Sequence, residues 1–192
     1  MKNVIKIFVL VGLALVGLVW FLSQGEKREE APKLPKISQI SDFKLTDQDG
    51  KPFGYENLKG KVWAVNFIFT RCQGPCPLMT EKMAELQGNF APDQKLEFVT
   101  ISMDARYDTP EVLTRFAKKY KADFSRWHFL TGDPDKIVEI ARSIFKVPAD
   151  KDPEMHTTRL VLIDEEGFIR GYYDSLDPDS FALLKKSLHS LK

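Results

Sequence analysis

Cysteine is scarce in this chain, with two in 192 residues, and that scarcity excludes a disulfide scaffold of the small secreted kind. Stability must come from an apolar core instead, which a hydrophobic content of 43% can supply. An excess of charge of either sign is missing too. The chain carries 28 Lys+Arg against 27 Asp+Glu with no basic stripe or cluster, so nucleic acid is not expected as a partner. Also absent are an internal repeat, an Arg- and Ser-rich transit segment, and a cysteine directly after the one long apolar run, where lipoprotein processing would need it.

That run is what the N-terminus does have. Residues 7–22 form a stretch of 16 uncharged positions, about 24 Å as a helix, somewhat short of the roughly 30 Å hydrocarbon core. Val4 and Ile5 extend it if Lys6 snorkels to the surface. Trp20 and Phe21 lie where an interfacial aromatic belt belongs, and Lys2 and Lys6 hold the N-terminus on the cytoplasmic side. A cleaved secretory signal is the competing reading, with small residues at Ser23 and Gly25. The run is long for a signal core, so residues 1–24 are expected to be a retained anchor in a bacterial plasma membrane. Either way, the rest of the chain faces outward. Without Lys2 and Lys6, 26 basic residues oppose 27 acidic ones, a balance of −1. Residues 25–38 are charged and Pro-bearing and read as a linker, and residues 39–192 as one domain.

Within that domain, "DFKLTDQDGKPF" alternates around an Asp-Gly turn and predicts an N-terminal β-hairpin. "VWAVNFIF" and "KLEFVTISM" are near-continuous apolar runs of the kind buried on both faces of a sheet. "TPEVLTRFAKKY" predicts a helix capped by Thr109 with Pro110 in its first turn. "WHFLTG" reads as a short strand, "DPDKIVEIARSIFKV" as a helix, and "TRLVLIDEEGFIRGYY" as a hairpin turning at Glu166 and Gly167. "DSFALLKKSLHSLK" closes the chain as an amphipathic helix. Strands alternating with helices predict an α/β domain with a mixed central sheet flanked by helices. A cysteine pair between a buried strand and a helix N-terminus makes it thioredoxin-like.

The two cysteines stand in "FTRCQGPCPLMT". Pro77 is favoured at the first helical position, which puts Cys76 at the N-cap, where unpaired N–H groups and the helix dipole favour a thiolate. A nucleophile and a metal ligand both need that form. Three residues separate Cys72 from Cys76, whereas thioredoxin-like redox motifs usually have two. The wider loop can close a disulfide or let both sulfurs converge on one ion. A purely structural disulfide would close too small a loop to gain much. Of the three histidines, His189 lies among lysines in the last helix and is expected to be solvated, and His128 is expected to be a packed or edge residue of its strand. His156 precedes a buried strand in the loop that faces the cysteines in thioredoxin-like folds, which leaves it open between ligand and loop residue. Two thiolates and an imidazole suit Cu(I) and can hold Cu(II), whereas zinc usually asks for a fourth protein ligand. Met79 and Met83 are spaced as core fillers.

At this point the residues resemble the SCO/SenC family of copper proteins. "NFIFTRCQGPCPLMTEKM" is similar to its F-x-F-T-x-C-x-x-x-C-P signature, and "ISMDARYDTPEVL" to its S-x-D-x-x-x-D-T-P segment. "WHFLTGDPDKIVEIARSIFKV" and "HTTRLVLIDEEGFIRGYY" follow in the family's order. The resemblance implies an outward-facing thioredoxin-like domain on a single N-terminal anchor, binding copper through Cys72, Cys76 and His156. It implies maturation of cytochrome c oxidase, by delivering copper to its binuclear CuA centre or by reducing the cysteines that receive it. The implied partners are the oxidase subunit carrying CuA, and a second copper chaperone or a thioredoxin-like reductant. Asp104 and Asp108 match family acids, and Asp108 is expected to cap the helix that Pro110 begins. Three readings follow from the same cysteines: a copper chaperone that turns over no substrate, a thiol–disulfide oxidoreductase with Cys72 and Cys76 as a redox disulfide, and a copper-linked redox sensor. A peroxide-reducing relative would need an arginine beside its thiolate, for which Arg71 and Arg159 are the candidates.

Overall fold

The computed structural model describes residues 33–92, 95–152 and 157–191, together with Gly12 and Gly17. The chain divides into two compact units, Met1–Ala31 and Pro32–Lys192. In the first, Gly12 and Gly17 are helical; otherwise the expected anchor, residues 1–24, lies outside the described residues. Among the described residues no helix is long and apolar enough to cross a membrane.

The second unit is built on one sheet. Its elements run β1 (Ser38–Gln39), β2 (Lys44–Thr46), β3 (Pro52–Gly54), α1 (Tyr55–Leu58), β4 (Val62–Ile68), α2 (Cys76–Asn89), β5 (Leu96–Ser102), α3 (Pro110–Lys119), β6 (Trp127–Leu130), α4 (Pro134–Glu139), β7 (Arg159–Ile163), β8 (Phe168–Asp174) and α5 (Pro178–Ser190). The six-stranded sheet has the order β1-β8-β7-β4-β5-β6. β4, β5 and β6 are parallel, while β7 and β8 turn back antiparallel beside β4. Such a mixed sheet between helices is what the alternation of elements predicts. The hairpin expected at the Asp-Gly turn is β2–β3, with Gly50 at φ 76, a left-handed turn position that glycine adopts without strain. Paired backbone bonds between Thr46 and Thr131, both 2.8 Å, fasten it beside the edge strand β6.

All seven residues of β4 and all seven of β5 are buried, so alternate side chains feed two separate cores. Trp63, Val65 and Phe67 point into one layer with Val99, Ile101 and Phe145. Val62, Ala64 and Ile68 point into the other, where Met79, Met83 and Leu86 of α2 meet Leu113 of α3 and Leu184 of α5. Each fully buried side chain of this size contributes about 1.5–3 kcal/mol of transfer free energy. The methionines of α2 are core fillers, as their spacing predicts.

Two stretches differ from the expected elements. The helix expected across residues 133–147 stops being α-helical at Glu139 and continues as a π turn over Ile140–Ile144. The Phe145 N–H bonds to the Ile140 carbonyl, five residues back. The widened turn accompanies the burial of Phe145 against Phe43, Trp63 and Phe67, with ring centroids 5.8, 6.1 and 5.4 Å away. The second difference lies in the expected linker. Residues 34–37 lie along β8: Ile37 N–H donates to the Ile169 carbonyl at 2.9 Å, and Arg170 donates to the carbonyls of Leu34 and Pro35.

Candidate metal centre

Parallel β4 and β5 end on the same side of the sheet, and the antiparallel β7 begins there. The loop after β4 carries Cys72 and leads into α2, whose first residue is Cys76. Pro75, with φ −73 and ψ −27, already has helical backbone, so the helix starts one residue earlier than Pro77 alone predicts. Cys76 is therefore inside the first turn rather than at the N-cap. It is fully buried among Ile68, Met79 and Met83, whereas Cys72 is half-buried. The two are not joined by a disulfide, and their side chains are in hydrogen-bond contact.

Burial changes the expected chemistry. It pushes the Cys76 thiol up to about 12 from an ordinary 9.0, with the Cys72 side chain adding to the shift. Backbone hydrogen bonds at Phe69 and at Cys76 itself pull the other way without offsetting it. The thiolate predicted for a helix start is thus overridden by desolvation of a charge in an apolar layer. Cys76 is a neutral thiol at neutral pH, and a metal must displace its proton.

The acids named from the sequence gather beside this loop from the β5–α3 corner. Asp104 accepts from Arg71 Nη2 at 2.6 Å and from Nε at 3.2 Å, and the Arg71 guanidinium lies 4.2 Å from the Tyr107 ring centroid. The hydrogen bond to Asp104 raises the Arg71 guanidinium above its ordinary value. Arg71, one of two arginines available to a peroxide-reducing thiol, is thereby committed to Asp104 and Tyr107. Asp108, expected to cap α3, does not: Thr109 is the cap, accepting from the Val112 N–H at 3.4 Å. Asp108 is instead fully buried and accepts from Thr70 and Ser102. Thr70 and Ser102 were not singled out as companions of the site by sequence reasoning, although they stand inside the two quoted signatures; Arg71 was named only as a candidate for the peroxide-reducing reading.

His156 lies outside the described residues. Its chain neighbourhood is held on the upstream side: Arg142 Nε donates to the Ala149 carbonyl at 2.6 Å, and Lys151 pairs with Asp135 at 2.8 Å. Downstream, β7 begins at Arg159. A cleft of about 480 Å³ is lined by Arg71, Asp104, Tyr107, Asp135 and Lys151 among others. Among the described residues no three His, Cys, Asp or Glu side chains converge as a metal site. The other histidines are accounted for by packing. His128 sits 2.9 Å from Glu97 and 4.5 Å from the Phe53 ring centroid, and exposed His189 lies against Phe90, its ring centroid 4.8 Å away and tilted by 39°, rather than being solvated only.

Comparison with known proteins places this arrangement. The SCO1/SenC family model matches residues 32–189. A SCO1 protein homolog of Bacillus subtilis is 34% identical over 151 residues, covering 76% of this chain and 78% of the relative. Among solved structures, BsSco is described as a member of the Sco family of cytochrome c oxidase assembly proteins with a disulfide switch. It is 32% identical with a TM-score of 0.71, over 84% of this chain and 99% of that one. Bradyrhizobium japonicum ScoI, solved with copper bound, is 26% identical with a TM-score of 0.62, over 78% of this chain and 99% of that one. With the family model spanning the whole of the sheet and both cysteines, the chain belongs to the SCO1/SenC family.

Proposed function

We propose that this protein is a copper-binding assembly factor, anchored in the bacterial plasma membrane by residues 1–24. In this reading it holds copper through Cys72, Cys76 and His156 and passes it to the CuA centre of cytochrome c oxidase. The observation that carries the reading is the adjacent pair of thiols at the end of β4, one half-buried and one fully buried. Two such sulfurs form a soft donor set matched to Cu(I). The difference in burial gives them separate tasks. Cys76 is the anchor that stays shielded from solvent, and Cys72 is the sulfur a partner ligand can reach first, so cargo enters and leaves by exchange at Cys72. Kinship with an oxidase assembly protein and with a copper-bound ScoI supports both the cargo and the recipient.

The test is a competition titration of the full-length reduced protein in detergent, with Cu(I) shared between protein and chelator, beside His156→Ala and Cys72→Ser. Tight one-to-one binding that weakens at least tenfold in each variant is expected. Binding that is weak, or equal with and without the imidazole, removes His156 from the site and leaves thiol–disulfide exchange. That second reading has its own support in the hydrogen-bond contact between an accessible and a buried thiol and in the disulfide switch of BsSco. In it, the Cys72 thiolate attacks a partner disulfide and the Cys76 sulfur resolves the mixed disulfide. The products are a Cys72–Cys76 disulfide and a partner dithiol.

A further inference from the structure

We propose that Asp108, Thr70 and Ser102 form a clamp that presets the cysteine loop for its cargo, with Asp108 as a positioning residue; this rests on the copper reading above. Asp108 is a fully buried carboxyl with no ion pair among the described residues, and Arg71, paired with Asp104, acts on it only through electrostatics. A buried polar group is costly unless hydrogen bonds satisfy it, and here three donors do. Oδ2 accepts from the Thr70 N–H at 3.0 Å and from Ser102 Oγ, while Oδ1 accepts from Thr70 Oγ1. The backbone that carries this carboxyl is fixed in turn, because the Asp108 N–H donates to the Asp104 carbonyl at 2.8 Å. Ser102 Oγ also accepts from the Asp104 N–H at 3.1 Å, so the acceptor and its supporting hydroxyl belong to one rigid corner between β5 and α3.

What that corner grips is informative. Thr70 is bonded through both backbone and side chain, and it stands two residues before Cys72. The other end of the loop is fixed by α2, where the Met79 N–H donates to the Pro75 carbonyl at 3.0 Å. Between these two anchors the Cys72 N–H reaches the Phe69 carbonyl at 3.2 Å, and the Gly74 N–H points at Cys72 Sγ at 3.4 Å. A loop pinned at both ends loses little further freedom when its sulfur takes a metal, which is how supporting groups raise metal affinity. Capping of α3 does not require Asp108, since Thr109 does that. The T of one signature and the S and second D of the other are thus one device, split in sequence and joined in space.

Three variants of the full-length protein test it: Thr70→Val, which keeps the branched shape and loses the hydroxyl; Thr70→Ser, which keeps the hydroxyl; and Ser102→Ala, which removes one donor to Asp108. Cu(I) affinity is measured by chelator competition, and apo stability by thermal unfolding. Thr70→Val is expected to weaken copper binding roughly 10- to 100-fold, the usual range for groups that support a metal ligand. Thr70→Ser should restore it to within about threefold, and Ser102→Ala should give a smaller loss in the same direction. If Thr70→Val fails to fold, the Ser102→Ala and Thr70→Ser pair carries the comparison. Wild-type protein that binds tightly, with variants that bind equally well whatever their unfolding temperature, overturns the clamp alone. Wild-type protein that does not hold copper overturns the reading beneath it as well.

Discussion

The buried thiol makes the sharpest prediction. Moving Cys76 from 9.0 to about 12 corresponds to about 4 kcal/mol in favour of its neutral form, at roughly 1.4 kcal/mol per tenfold change. The folded state binds this proton more tightly than the unfolded chain, so the group stabilises the fold fully below pH 9 and loses that contribution as pH rises towards 12. In the working range the same proton must leave when a metal arrives. The apparent affinity for Cu(I) should therefore gain about tenfold per pH unit from Cys76 alone, without levelling off at pH 9. Cysteine labelled with ¹³C at Cβ resolves the residue directly. Its signal in the reduced apoprotein should hold steady through pH 10 and move only above it. A Cys76 signal that titrates near 9 would falsify the claim that burial governs this sulfur, and would return the helix N-terminus to that role.

Two further predictions concern the rest of the domain. At the opposite end of the sheet, burial raises the Glu97 carboxyl, but hydrogen bonds from His128 and Lys61 outweigh it and leave the group below its ordinary value. Its contribution is present above pH 4.5 and is lost as pH falls through the lower folded value; Glu97→Gln should cost about 1–3 kcal/mol at pH 7 and flatten acid unfolding followed by circular dichroism. Gly167 turns the β7–β8 hairpin at φ 81, and a Cβ there would come within 2.6 Å of the Tyr55 hydroxyl. Gly167→Ala is expected to destabilise by at least about 1 kcal/mol in denaturant melts, and Tyr55→Phe in the same background should relieve only part of the contact, since ring carbons remain at 3.0 and 3.1 Å, and none of the backbone strain.

Local signals were legible in the sequence where a residue's own covalent chemistry decides its conformation. Gly50 marks a turn because it reaches a positive φ, Thr109 marks a helix start because its hydroxyl meets a backbone N–H, and β4 and β5 announce themselves by unbroken apolar runs. Cys72 and Cys76 were found because so few cysteines exist to choose from. What escaped depends on distance along the chain. The partner of Asp108 is Thr70, 38 positions away, so a cap on the adjacent helix was the nearer reading. Ile68, Met79 and Met83 close around Cys76; all three stand inside the quoted signature, but only the packing of α2 on β4 brings them around the thiol. The π turn at Ile140–Ile144 accompanies the packing of Phe145 among aromatic rings contributed by β4 and by Phe43, partners remote from it in sequence.

Because the sheet is a continuous wall, it also separates two natural fluorophores. Trp63 is fully buried on the side of Phe43 and Phe145, and Trp127 on the side of Cys76 and Met79. The Trp127 indole donates to Thr100 Oγ1 at 2.9 Å, and that hydroxyl donates to Asn66 Oδ1 at 2.7 Å, so its emission is tied to a polar chain inside the same layer as the buried thiol. A disturbance that starts at the cysteine helix reaches Trp127 within its own layer, whereas Trp63 registers it only across the strands. Emission from Trp63→Phe and Trp127→Phe proteins, with Trp20 as a common background, therefore times the two halves of the interior independently and reveals which of them loosens first.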